Sequence, residues 1–261
     1  MLDETRITEI AAELDVARRD RAQVPLLTAR NPGMTVEDAY AIQGLWAAGR
    51  LSAGRRLVGR KIGLTSTVML VATGTTEPDY GVIFDDMVYA SGDTIPFDAF
   101  TNVRVEVELA FVLAQPLAGT EVTVDEVLAA TDYVVPALEI LSSRIQLEGR
   151  TIVDTISDNA AMGAMVLGDT HTDPATVDLP WVSAILRRNG DIEESGVAAA
   201  VLDHPAAGVA WLAGKLAQHG ASLAAGETIL AGSFTRPIWI ERGDDLLADY
   251  RELGTIACRF A

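Results

Sequence analysis

Three glutamates and one lysine are the side chains whose type and spacing could do chemistry in this sequence. Glu106 and Glu108 lie two residues apart in Arg104-Val-Glu-Val-Glu-Leu-Ala110. In a strand that spacing puts both carboxylates on one face, about 7 Å apart at Cα, with Val105, Val107, Leu109 and Phe111 on the other. Like charges side by side raise each other's proton affinity, and a divalent cation removes the conflict. The plainer alternative is a half-exposed strand whose acids face water or basic neighbours. Glu139 is embedded in the apolar run Val134-Val-Pro-Ala-Leu-Glu-Ile-Leu141. A lone carboxylate there is costly unless it is paired, for instance with Arg144, or coordinates a metal. Together the three glutamates form a hard, all-oxygen set. It suits Mg²⁺ or Mn²⁺ better than zinc, because no histidine or cysteine joins them.

Lys61 lies in Gly59-Arg-Lys-Ile-Gly63. Strand alternation puts both glycines on its face, so nothing bulky flanks the amine, and a glycine inside a strand often marks close approach of a ligand. The functional reading is an acid–base lysine; the alternative is a solvated lysine between glycines needed for twist. Free lysine has a pKa of about 10.4, so a useful base needs a depressed value. A nearby cation and burial both push that way. The segment Ala231-Gly-Ser-Phe-Thr-Arg-Pro237 follows a short strand and could offer backbone N–H groups to an anion, although the same letters spell a plain turn. His171, His204 and His219 are scattered, and neither HExxH nor GxSxG is present. Cys258 reads as a core residue of a terminal strand.

Positioning these groups falls to two N-terminal helices and a series of strands. Ile7, Ile10, Ala11, Leu14 and Ala17 recur at helical spacing. After a break at Pro25, Asn31, Pro32 and Gly33, Thr35 caps a second helix carrying Ala39, Ile42 and Trp46, which Gly54 can end. From residue 56 the period becomes alternating. Strands are predicted at 56–64, after the Gly92-Asp93 turn at 95–96, and at 103–113, 133–141, 161–167, 181–188, 192–194, 228–231, 238–241 and 255–260. Asn189-Gly190 is the strongest hairpin signal. Short helices are expected at 124–130 and 205–219. The pattern is α+β, with a helical N-terminal part (1–75) packed on a β-rich body (76–261). No GxGxxG or P-loop is present.

The bulk composition narrows the function classes. The chain has 261 residues and a formal net charge of −17, with 49% hydrophobic and 22% charged residues. So acidic a surface argues against nucleic-acid binding and against an anionic membrane. One cysteine excludes an internal disulfide framework and a Cys-rich zinc site. No apolar run approaches about 18 residues and the acidic N-terminus lacks the order of a signal peptide, so a soluble cytoplasmic protein is expected.

Six ordered segments carry a resemblance: GRKIGLTS (59–66), EPDYG (77–81), VEVELAFVLA (105–114), DYVVPALEIL (132–141), DTISDNAA (154–161) and AGSFTRP (231–237). They resemble the hydratase/decarboxylase branch of the fumarylacetoacetate hydrolase superfamily, and the likeness runs nearly end to end, including ESGVAAAVLDHPAAGVAWLAGKLA (194–217). The resemblance implies a mixed β-roll body, a Mg²⁺ or Mn²⁺ ion and a homo-oligomer, a decamer of pentamers being one such form. It also implies association with neighbouring enzymes of the same pathway.

By motif position Glu106, Glu108 and Glu139 would be the metal ligands and Lys61 the principal acid–base residue. Asp79 would orient or activate water. Ser157 would line the substrate pocket, and the loop Gly232, Ser233, Phe234 and Thr235 would cradle the oxoacid end. The implied reaction is hydration of a 2-hydroxy-2,4-dienoate or 2-oxo-4-enoate in aromatic catabolism, the seven-carbon 1,7-dioate being favoured over the five-carbon monoacid. The alternatives are decarboxylation of 2-oxo-3-hexenedioate, hydrolysis of a 1,3-diketone, and binding of a small acid without turnover. The segment Gln146-Leu-Glu-Gly-Arg150 is shorter than expected for a dioate enzyme. If that loop binds the distal carboxylate, its brevity favours a monoacid. Arg104, Arg150 and Arg236 are the candidates for distal recognition, and the sequence does not choose among them.

Overall fold

The structure, a computed structural model, describes residues 1–66, 70–71 and 74–261. Helix α1 (Glu4–Asp20) starts where the Asp3 side chain accepts the Arg6 N–H, and α2 (Leu27–Arg30) is a single turn. In α3 (Val36–Ser52), Thr35 and Asp38 form a reciprocal capping box, which satisfies donors the first turn would otherwise leave open. Ile10, Ala11, Leu14 and Ala17 of α1 and Ala39, Ile42 and Trp46 of α3 are buried, the apolar stripes expected from their spacing.

Eight strands form the larger sheet: β1 (Leu57–Gly63), β2 (Asp79–Phe84), β3 (Val88–Ala90), β5 (Arg104–Leu113), β6 (Thr131–Leu141), β7 (Met162–Leu167), β10 (Thr228–Ser233) and β11 (Ile238–Trp239). Their order is β2-β1-β10-β5-β6-β7-β3, with β11 pairing beyond β10 along β5. The β1–β10 and β3–β7 pairs are parallel and the others antiparallel. A second sheet has the order β4-β13-β12-β8-β9, from β4 (Thr94–Ile95), β8 (Ser183–Arg188), β9 (Asp191–Val197), β12 (Asp245–Asp249) and β13 (Thr255–Phe260). Asn189 and Gly190 both have positive φ at the β8–β9 turn, as a two-residue hairpin requires. The α+β expectation therefore holds. Strand β1, however, lies between β2 and β10, so the sheet crosses the expected division at residue 75.

Three further helices pack around the larger sheet: α4 (Val124–Ala130), α5 (Ile152–Ser157) and α6 (Pro205–Ala217). Gln43 of α3 donates to the carbonyls of Tyr80 (2.9 Å) and Ile156 (3.1 Å), tying the helical part to β2 and α5. Asp154, fully buried at the start of α5, accepts from the N–H and hydroxyl of both Thr28 and Thr151. Gly208 of α6 lies so close to the sheet that a Cβ would sit 2.6 Å from the Ala231 carbonyl oxygen. Among the described residues, no helix is long and apolar enough to cross a membrane.

Candidate active site

The site is built on the middle of the larger sheet. Glu106 of β5 is the direct cross-strand partner of Glu139 on β6, and Glu108 is the partner of Ser233 on β10. Strand pairing thus brings together three carboxylates that the sequence holds 33 residues apart at the extremes. One oxygen from each lies within 4.8 Å of the others. Glu108 and Glu139 are buried, and Glu106 is half-buried.

Such a cluster is unfavourable on its own. Burial, then the charge of Glu139, pushes Glu106 up to about 8. Burial and the two neighbouring glutamates raise Glu108 well above the carboxylate range, and burial raises Glu139. Oε1 of Glu108 and both carboxylate oxygens of Glu139 are buried without a hydrogen-bond donor. Native proteins seldom leave such acceptors unsatisfied. Three anionic oxygen donors, converging and short of partners, fit a hard dication such as Mg²⁺ or Mn²⁺.

Lys61 enters from β1. Its ammonium lies 3.3 Å from Oε1 of Glu139, so the alternative of a Glu139–Arg144 pair is not the one realised. Arg144 instead binds the Asp158 carboxylate and backbone carbonyl. Burial would lower the Lys61 pKa, but Glu139, Asp79, Glu106 and Glu108 together hold it above the ordinary value. The depressed value expected of a base is therefore not met while the carboxylates carry their charge unopposed. Asp79, at the start of β2, is buried, and burial raises its pKa despite the charge of Lys61.

Gly63 and Gly59 play different parts. A Cβ on Gly63 would collide with Oδ1 of Asp79 and sit 3.1 Å from the Lys61 amine, so its glycine keeps this corner open. Gly59 instead packs on the backbone of Thr228 and is required by the β1–β10 approach. The rings of Tyr40 and Tyr80 stack with centroids 4.6 Å apart, and burial, then the charge of Asp79, raises the Tyr40 phenol's pKa.

The 232–235 loop is a buttress. The Gly232 N–H donates to Oε2 of Glu108 at 2.9 Å, the Phe234 N–H to the Val107 carbonyl, and the Thr235 N–H to the Ser233 hydroxyl. These three donors, expected to face an anionic substrate, are engaged within the protein and fix β5. Ser157 is buried at the end of α5, and its hydroxyl donates to the Val153 carbonyl at 2.8 Å.

Tyr250 escaped the sequence reading. Its buried hydroxyl lies 2.8 Å from the Glu108 carbonyl and 2.7 Å from that of Ala137, a pair of opposed residues on β5 and β6. It clamps the ladder behind the carboxylates. Nothing in its surroundings Ala-Asp-Tyr-Arg-Glu signals this role.

Residues 69–261 match the family described as fumarylacetoacetate (FAA) hydrolase C-terminal. The chain belongs to this family. It is 48% identical over 266 residues to the 2-oxo-hept-4-ene-1,7-dioate hydratase of Escherichia coli, with both chains fully covered. It is 41% identical over 252 residues to the 2-keto-4-pentenoate hydratase of Paraburkholderia xenovorans, covering 97% of this chain and 94% of the relative. Among solved structures, the fumarylacetoacetate hydrolase-like fold is matched by 4-oxalocrotonate decarboxylase from Pseudomonas putida G7 in complex with magnesium and adipate. The TM-score is 0.98 at 30% identity, covering 100% and 99% of the two chains. Within the fumarylacetoacetate hydrolase family, then, this chain stands beside hydratases in sequence and beside a magnesium-bound decarboxylase in structure.

Proposed function

We propose that the protein is a hydro-lyase that adds water to a 2-hydroxy-2,4-dienoate or its 2-oxo-4-enoate tautomer, with 2-oxohept-4-ene-1,7-dioate as the favoured substrate and 4-hydroxy-2-oxoheptane-1,7-dioate as the product. The observation that carries this reading is the convergence of Glu106, Glu108 and Glu139 beside the buried Lys61–Asp79 corner. The full-length likeness to hydratases supports the reaction class.

Glu106, Glu108 and Glu139 would hold Mg²⁺ or Mn²⁺. When bound, such an ion supplies Lewis-acid polarisation of the substrate's 2-oxo group. Lys61, held protonated by its carboxylate neighbours, is placed to deliver a proton to C5 as the dienol becomes the conjugated 2-oxo-3-enoate. The dienol's 2-hydroxyl proton restores Lys61 after that transfer; Asp79 would accept a proton from the water that adds at C4, Lys61 would give the proton required at C3, and the proton held by Asp79 would then restore Lys61. The sum is one water gained, with no change of oxidation state. Burial of Lys61 and Asp79 limits bulk water at these atoms. Ser157 and the 232–235 loop serve the pocket indirectly, by closing α5 and by holding Glu108 in place.

The protein works as a cytoplasmic homo-oligomer on this reading, a decamer of pentamers being one form it could take, with the helical part of 1–75 joined to the body of 76–261 through β1, which carries Lys61 into the site. Trp181 and Ile192, 75% and 58% exposed beside and on the edge of the second sheet, support self-association. Incubation of the Mg²⁺-loaded protein with the seven-carbon 2-hydroxydienedioate tests the proposal. Loss of the dienol ultraviolet band with formation of the 4-hydroxy-2-oxo diacid is expected. Release of CO₂, cleavage into two acids, or no conversion would overturn it.

A further inference from the structure

Arg104 lies two residues before Glu106 and four before Glu108 on β5, so its side chain shares their face of the strand. Its cross-strand neighbours are Leu141 on β6 and Trp239 on β11, and its guanidinium carbon stands 5.4 Å from the centre of the Trp239 ring. Nε and Nη2 of Arg104 are buried and have no hydrogen-bond partner. These two nitrogens form one edge of the guanidinium, the edge that grips a carboxylate with two parallel hydrogen bonds. A buried fork left without an acceptor is costly, and the cost is removed by an anion that enters from outside the chain.

The surroundings of Arg104 favour an anion over a water molecule. Arg150 lies near enough to Arg104 for the two charges to interact, as do the charges of Glu106 and Glu139. Arg150 interacts with Asp158 first and then with Asp79, and one of its nitrogens donates to the Ser143 hydroxyl at 2.9 Å. Arg104, on the strand face that carries Glu106 and Glu108, and Arg150, in the loop beside it, make a second, oppositely charged pole next to the glutamates. Arg236, the third candidate from the sequence, is excluded: its side chain is 85% exposed and paired with Glu194 at 2.7 Å.

We propose that Arg104, assisted by the charge of Arg150, binds the carboxylate at the far end of the substrate and makes the site selective for 2-oxo diacids over 2-oxo monoacids. The inference rests on the hydratase reading and deepens it by naming the substrate class. The distances agree. Residues two apart on a strand are separated by roughly 6.5–7 Å. The five carbon–carbon bonds from C2 to C7 of a heptanedioate, each about 1.5 Å and laid out in zigzag, span roughly 6 Å. An oxoacid end at the glutamates therefore brings the far carboxylate level with Arg104, whereas a five-carbon monoacid has no charged group there. The short Gln146–Arg150 segment is no obstacle, because the unpaired fork comes from β5 and not from that loop.

The test compares 2-oxoadipate with 2-oxohexanoate, probes of equal chain length that differ only in the distal carboxylate. Binding to the full-length Mg²⁺-loaded protein is measured by calorimetry. Wild type is expected to prefer 2-oxoadipate by roughly 100-fold, in line with a charge-assisted pair of hydrogen bonds. Arg104→Met should erase that preference, and Arg104→Lys, which keeps the charge and loses the fork, should retain part of it. The ratio of kcat/KM for the seven-carbon diacid to that for the five-carbon monoacid should fall by a similar factor in Arg104→Met. An unchanged preference in Arg104→Met, an equal preference in wild type, or full selectivity in Arg104→Lys would overturn the assignment. If Arg104→Met does not fold, the wild-type and Arg104→Lys measurements decide. Failure of wild type to hydrate either dienoate, with the diacid binding preference intact, would instead overturn the hydratase reading and leave the anion site standing.

Discussion

Glu106 and Glu139 face each other directly across the β5–β6 ladder, a half-buried and a buried carboxylate at one rung of a sheet. Like charges opposed in this way destabilise a strand pair, and the fold accepts that cost at its centre. Removing one charge should therefore relieve the metal-free protein. Glu106→Gln is expected to melt roughly 2–4 °C above the chelator-treated wild type, the equivalent of about 1 kcal/mol in a domain of this size. The same variant should gain nothing from added Mn²⁺, whereas wild type should gain. Thermal denaturation with and without the ion measures both.

Gly232 links the loop to the carboxylates through one N–H and has a φ of 119°, a conformation side chains rarely adopt. A Cβ there would also lie 2.8 Å from Cβ of Thr65. Gly232→Ala should shift the loop, release Oε2 of Glu108 and lower Mn²⁺ affinity by roughly 10–100-fold, as loss of a partner behind a metal ligand does. Unchanged affinity in a Mn²⁺ titration of the folded variant would contradict the buttress role.

On the proposed mechanism Lys61 contributes a proton rather than a ligand. Lys61→Met should keep Mn²⁺ binding while the rate of dienoate consumption falls by roughly 10²–10⁴-fold, the usual worth of a positioned acid–base group. A variant that keeps the wild-type rate would remove Lys61 from the mechanism.

Asp154 gives the fold a calculable pH dependence. Burial works to raise its pKa, but four hydrogen bonds from Thr28 and Thr151 outweigh it and hold the carboxyl below its ordinary value. The stability it contributes is therefore complete above an unfolded pKa of about 3.9 and is lost as pH falls through the lower folded value. Asp154→Asn should be less stable than wild type by about 1–3 kcal/mol at pH 7. The gap should narrow below about pH 4, and urea denaturation at several pH values reads it directly.

Much of this was legible because pattern and packing agree. The alternation of Val105, Val107, Leu109 and Phe111 against Arg104, Glu106 and Glu108 specifies both strand and face, and the structure buries the four apolar residues. The stripes of α1 and α3 and the Asn189-Gly190 turn are equally local signals. What escaped lacks such a signal. Strand β2, Asp-Tyr-Gly-Val-Ile-Phe, is mostly buried and does not alternate; α5 has six residues, too few for a helical period, though Thr151 and Asp154 form its capping box. In β12 the buried Leu246 and Ala248 do alternate with exposed residues, but acids at both ends give it the look of a loop. The cation beside Glu139 has no local signal for a related reason: Arg144 is near in sequence, but Lys61 is brought opposite by the sheet. Which glycine beside Lys61 serves the site is likewise a tertiary fact, decided by what each would strike.

The most direct test of the account is a calorimetric Mn²⁺ titration of chelator-treated protein, wild type beside Glu106→Gln and Glu139→Gln. One tight ion per chain in wild type, with affinity lost in both variants, is the predicted result. Tight binding that persists in either variant, or a wild type that takes up no ion, would contradict the claim that these carboxylates converge to hold a single hard cation.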